Sequence, residues 1–135
     1  MLSALYTIRD QTYVRKDKLA AVGFCAGGGN VYDLVLNTDA LTAAVAFYGA
    51  PVLSVDAVPQ VNIPLLFNYA ELDRTFTAGL GPVIQAMSTQ QKRFEAHVYS
   101  NANHAFHNDT SPRYEAAAAT AAWTNTLNFF RRYLS

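Results

Sequence analysis

An apolar run that passes through one cysteine and breaks at once into glycines has few ways to continue. Ala21-Val22-Gly23-Phe24-Cys25-Ala26-Gly27-Gly28-Gly29 is such a run, and Cys25 is the chain's single cysteine. A strand that turns sharply into a helix, with one residue lifted at the apex, needs small neighbours two positions to either side. Gly23 and Gly27 stand at those offsets from Cys25, and Gly28 lets the helix start close to the sheet. The amide of Ala26 would then face a developing oxyanion, and the positive end of the helix suits a sulfur anion. Taken alone, the turn fits a small packed core thiol equally well, since most free cysteines are packed. Phosphate-binding turns are set aside: no Lys-Ser/Thr pair closes this one, and the G-x-G-x-x-G spacing does not fit.

Beyond the turn, short β-like runs alternate with helix-like runs, and no repeat or linker divides the chain. Strands are expected at Lys18 to Phe24, Ala43 to Tyr48, Pro64 to Tyr69 and Phe94 to Tyr99. Helices are expected from Gly27 to about Leu36, near Leu80 to Gln91, and along the final stretch. There Ser111 suits an N-cap and Pro112 a first helical position. Ala116, Ala119, Trp123, Leu127, Phe130 and Leu134 then mark an apolar stripe. Near-continuous apolar strands between helices predict an α/β fold with about four mostly parallel strands, covered by helices, over residues 1–135.

The composition narrows the function classes. Ten basic and ten acidic residues cancel, so no basic field invites nucleic acid or an anionic membrane surface. No apolar run approaches the roughly 18 residues of a membrane span. A lone cysteine excludes an internal disulfide. The first ten residues hold Arg9 and Asp10 but no apolar signal core. A cytoplasmic setting is favoured, and the compartment stays open.

In open parallel sheets, reactive residues collect at the carboxyl ends of the strands. Cys25, Asp73 and His104 each follow a predicted strand, in the chain order nucleophile, acid, histidine. A cysteine nucleophile needs a base, and the base needs a carboxylate to orient it. Glu71 competes with Asp73 for the acid, but it lies nearer the strand and is expected to pair locally. A metal reading of His104, His107 and Asp109 is weak because a loop fixes no ligand spacing. His97 is read as a surface or half-buried strand residue, and Tyr48 and Tyr69 as packing residues that could line a pocket. Thiol redox chemistry at Cys25 lacks a resolving cysteine.

These pieces together resemble the dienelactone hydrolase family, cysteine members of the α/β-hydrolase fold. The matching segments are Gly23-Phe24-Cys25-Ala26-Gly27-Gly28, Phe47-Tyr48-Gly49, Tyr69-Ala70-Glu71-Leu72-Asp73 and His104-Ala105-Phe106-His107-Asn108-Asp109, with the closing helix Tyr114 to Leu134. The resemblance implies Cys25 as nucleophile, His104 as general base and Asp73 as its partner. It implies hydrolysis of a small-molecule ester or lactone through an acyl-thioester, with no cofactor and no metal. The substrate does not transfer with the fold.

Such hydrolases are built on a wider sheet, of which this chain supplies the half that begins at the nucleophile strand. The loop giving the second oxyanion amide would lie upstream, as would a carboxylate that helps activate the cysteine. Asn108 stands where the best-known members carry an arginine. One oxyanion donor is worth roughly 3–4 kcal/mol, so its absence slows the chemistry without abolishing it. Ala20 to Phe24 is expected to be an open apolar edge, with one of two outcomes: the chain is a fragment or truncated reading of a longer protein, or the edge pairs with a second copy, most simply across a twofold axis. The helix-like lead, Leu2 to Arg9, is expected to cover part of it. The competing function is a catalytically dead interaction module derived from such a hydrolase.

Overall fold

The computed structural model describes residues 1–135. Its strands are β1 (Ala20–Phe24), β2 (Ala43–Phe47), β3 (Leu65–Ala70) and β4 (Phe94–Tyr99), and its helices α1 (Leu2–Arg9), α2 (Ala26–Asn37), α3 (Arg74–Thr89) and α4 (Ala116–Leu134). The strands form one sheet in the order β1-β2-β3-β4, every neighbouring pair parallel. The expected partial α/β sheet is therefore present.

Strand periodicity assigns the two faces. Ala44 and Ala46 of β2 with Leu65, Phe67 and Tyr69 of β3 turn toward α2 and α3, where they pack with Val31, Val83 and Met87. Ala43, Val45 and Phe47 with Leu66 and Ala70 turn the other way, toward Ala118, Ala122 and Phe129 of α4. A polar network crosses this second layer. Tyr99 Oη donates to Asn68 Oδ1 at 2.8 Å, and Asn125 Nδ2 donates to Tyr99 Oη at 3.1 Å. It satisfies the buried Asn68 amide and ties β3, β4 and α4 together. At the far edge, Arg132 of α4 pairs with Glu95 of β4.

The last helix departs from expectation in two ways. Ser111 and Pro112 do not open it; Glu115 caps it, its carboxylate accepting the Ala118 amide at 2.6 Å. The reason is tertiary: the Glu115 amide donates to the Phe106 carbonyl, which pins the chain there and places residues 111–114 in turns. The buried face is also rotated from the predicted stripe. Ala118, Ala119, Ala122, Thr126 and Phe129 are buried, while Trp123 is 40% exposed. Small residues face the sheet and let the helix approach it, with Trp123 set to one side.

One further element differs. Helix α3 begins at Arg74, directly after Asp73, rather than near Leu80. A 3-10 segment, Val55–Gln60, buries Val58 between β2 and β3. As expected, β1 is a sheet edge; Val22 and Phe24 are 40% and 38% exposed. Helix α1 has no buried residue, and its Tyr6 hydroxyl bonds Thr38 beyond the end of α2. No helix is long and apolar enough to cross a membrane.

Candidate active site

Backbone contacts build the bend at Cys25. Its φ of 56° and ψ of −121° lie where L-residues rarely go, so surrounding structure must hold them. The Cys25 amide donates to the Phe47 carbonyl at 3.0 Å. Its carbonyl accepts three amides, from Gly28 at 2.9 Å, Gly29 at 3.1 Å and Ala50 at 3.1 Å. The neighbouring glycines are required by close approach. A Cβ on Gly23 would run into the Gly27 carbonyl, and one on Gly28 would lie 2.7 Å from Gly49 Cα. Ala26 occupies the first position of α2, where the amide has no partner within the helix.

The acid and histidine loops leave neighbouring strands and are laced together. Glu71 N donates to Tyr99 O at 3.0 Å, and Leu72 N to Ala102 O at 2.9 Å. The Glu71 carboxylate accepts the Asn101 amide at 2.8 Å, which turns it away from the histidine. That local pairing matches the expectation for Glu71. Asp73, buried and placed just before α3, is left to meet His104.

The three side chains singled out in the sequence meet. His104 Nδ1 lies 2.5 Å from Asp73 Oδ2, and His104 Nε2 lies 3.0 Å from Cys25 Sγ. With the ring proton on Nδ1 facing the carboxylate, Nε2 offers its lone pair to the thiol. The imidazole is flanked by Tyr48, at 5.0 Å between ring centroids, and Phe76, at 5.4 Å. The sulfur opens on a cleft of about 350 Å³ lined by Phe24, Tyr48, Ala105, His107 and Asn108.

Of these neighbours, Phe24, Ala105 and Asn108 were not legible as cleft residues, whereas Tyr48, read as a packing residue that could line a pocket, does line it. Tyr48 is a second residue at positive φ, 38°, and its phenol is pushed up to about 12 by burial, with the Cys25 charge adding to the shift. Its aromatic character at a strand end was the available signal. His107 does not join His104 in one cluster; its ring packs against Phe24, Phe47 and Trp123. Burial holds its pKa below the usual imidazole value. His97 is half-buried on β4, 3.7 Å from Glu95 and away from the site.

The architecture and the sequence have relatives. The dienelactone hydrolase family profile matches residues 1–134. A Bradyrhizobium protein named, provisionally, a 2-oxo-3-(5-oxofuran-2-ylidene)propanoate lactonase is 33% identical over 98% of this chain and 57% of its own length. A Saccharolobus solfataricus protein, provisionally named a carboxymethylenebutenolidase, is 35% identical over 85% of this chain and 44% of its own length. The crystal structure of a provisionally assigned dienelactone hydrolase from Klebsiella pneumoniae superposes with a TM-score of 0.89 at 27% identity, covering 98% of this chain and 59% of that one. The chain thus spans about half the length of the relatives it matches. With a profile match along nearly its full length and relatives above 30% identity, the chain belongs to the dienelactone hydrolase family.

Proposed function

We propose that this chain carries the catalytic centre of a cysteine-dependent hydrolase acting on a small-molecule ester or lactone. The observation that carries the reading is the continuous contact from Asp73 through His104 to Cys25, at 2.5 Å and 3.0 Å. His104 Nε2 takes the thiol proton as Cys25 Sγ attacks the carbonyl carbon. The oxyanion faces the Ala26 amide. Collapse expels the alkoxide, which leaves with the proton from Nε2, and an acyl-thioester remains on Cys25. Water then attacks the thioester with His104 as base; the acid departs, and the thiol is restored. Asp73 steadies the imidazolium at each stage. No cofactor enters this scheme.

The test is p-nitrophenyl acetate turnover by the purified chain against Cys25→Ala and Asp73→Asn. Cys25→Ala should fall to the rate of buffer, and Asp73→Asn by at least about a hundredfold, since the imidazole then loses its orienting charge. Equal rates for the chain and Cys25→Ala would discard the enzyme reading.

A second reading, an interaction module retaining the site as a relic, draws on the exposed β1 edge. The open edge also supports pairing of Ala20–Phe24 with the same strand of a second copy across a twofold axis, as one of the two outcomes expected for it. Sedimentation equilibrium tests this: a monomer at all concentrations refutes the pairing.

A further inference from the structure

Two buried hydroxyls lie behind the bend at Cys25, and the catalytic steps give them no task. Tyr32 belongs to α2, the helix that Cys25 caps, and Tyr69 to β3, the strand leading to Asp73. They are 3% and 0% exposed. Tyr69 Oη donates to the Gly49 carbonyl at 3.0 Å, which uses its one proton. The 2.9 Å contact between the two hydroxyls therefore has Tyr32 as donor. The chain of donors runs from Tyr32 to Tyr69 to Gly49.

The Gly49 carbonyl and the Ala50 amide are the two ends of one planar peptide group. That Ala50 amide donates to the Cys25 carbonyl at 3.1 Å. A hydroxyl donating to one end of a peptide fixes its tilt and strengthens the bond made at the other end. The surroundings leave this peptide little room. A Cβ on Gly49 would lie 2.7 Å from the Tyr32 hydroxyl, and one on Gly29 would lie 2.3 Å from the Ala50 oxygen. Burial raises the Tyr69 phenol to about 12 and the Tyr32 phenol well above its ordinary value, so both keep their protons near pH 7.

We propose that Tyr32 and Tyr69 are positioning residues for Cys25. They clamp the Gly49–Ala50 peptide, and that peptide helps to hold the sulfur at its 3.0 Å contact with His104 Nε2. The effect on turnover rests on the hydrolase reading; the effect on the thiol does not.

The double variant Tyr32→Phe/Tyr69→Phe removes both donors and keeps both rings. Replacing Tyr69 alone leaves the Tyr32 hydroxyl against Gly49, where it can take over part of the task. Tyr99→Phe is the control, because its hydroxyl serves Asn68 and Asn125 in the layer under α4. Circular dichroism first establishes that each variant is folded. Two rates are then read: alkylation of Cys25 by iodoacetamide at pH 7, and p-nitrophenyl acetate turnover. In the double variant alkylation should slow about fivefold, since a sulfur moved off Nε2 loses its base. There kcat should fall about tenfold, with KM held within about twofold. Tyr99→Phe should leave both rates within about twofold of the unaltered chain. Unchanged or faster alkylation in the double variant overturns the clamp, because a merely loosened fold exposes the thiol. An equal loss in Tyr99→Phe overturns it too. If the double variant does not fold, Tyr69→Phe is used, with alkylation expected about threefold slower and an unchanged rate overturning the clamp. Slower alkylation in the double variant, with no turnover by the unaltered chain, upholds the clamp and sinks the hydrolase reading instead.

Discussion

The strand leading to the acid and the strand leading to the sulfur are held by different means. Every residue of β3 is buried between two neighbouring strands, and its Leu65, Phe67 and Tyr69 pack into the larger cluster. In β1 only Gly23 is buried, and one side of the strand has no neighbour. Both strands nevertheless deliver a side chain to within bonding distance of His104. The acid end is fixed by volume and apolar contact. The sulfur end is fixed by four backbone hydrogen bonds at Cys25 and by glycines that leave no room for a methyl group. A site of this kind fails differently depending on which end is disturbed.

Phe67→Ala should separate the two most sharply. It empties a fully buried ring position in β3 and should cost about 3–5 kcal/mol in urea unfolding. A cost below about 1 kcal/mol would remove the idea that packing anchors the acid end. Gly23→Ala should come next, at about 1–3 kcal/mol from backbone overlap with Gly27. Under the proposed mechanism, ester turnover should fall on the order of a hundredfold, because a displacement near 1 Å at the attacking atom costs that much. Full activity in Gly23→Ala would show that the bend tolerates the methyl group and that the hydrogen bonds alone hold it.

A pH series sharpens the comparison further. Burial pushes the Tyr69 phenol, at the end of β3, from its ordinary value of 10.0 up to about 12. The folded chain then binds that proton more tightly than the unfolded chain. The associated stability is complete below about pH 10 and is lost as pH rises toward 12, on the order of 2–3 kcal/mol. Urea midpoints measured from pH 9 to 12 should fall across that window, and Tyr69→Phe should make the fall shallower, with Tyr48 contributing to the remainder. The smallest effect belongs to β1: Val22→Thr should change stability by less than about 0.5 kcal/mol, because the side chain is 40% exposed and threonine keeps its branched shape and strand preference. A cost above about 1 kcal/mol would mean that something covers that edge in solution.

What could be read from the residues follows the same division. The bend was legible because its requirements are local: glycines two positions from Cys25 and a strand before them. The order of Cys25, Asp73 and His104 was legible because parallel sheets gather reactive residues at one end. The start of α4 was not, since Ser111 and Pro112 are sound local signals overridden by the distant Glu115–Phe106 hydrogen bond. Its buried face was misread because large apolar residues dominated the periodicity, whereas alanines make the closest approach. Gly79, Gly81 and Pro82 weakened the signal for α3, which nonetheless starts at Arg74. His107 was read only within a weak metal grouping with His104 and Asp109, and its place against Trp123 emerges only from the fold.

The three amides gathered on the Cys25 carbonyl carry one more implication. None of them touches the sulfur, so the bend specifies a location and leaves the reacting element open. A hydroxyl put there by Cys25→Ser would inherit the same socket, the same imidazole and the same neighbouring Ala26 amide. Under the proposed mechanism, any difference in rate would then measure oxygen against sulfur as the attacking atom, with the scaffold held constant.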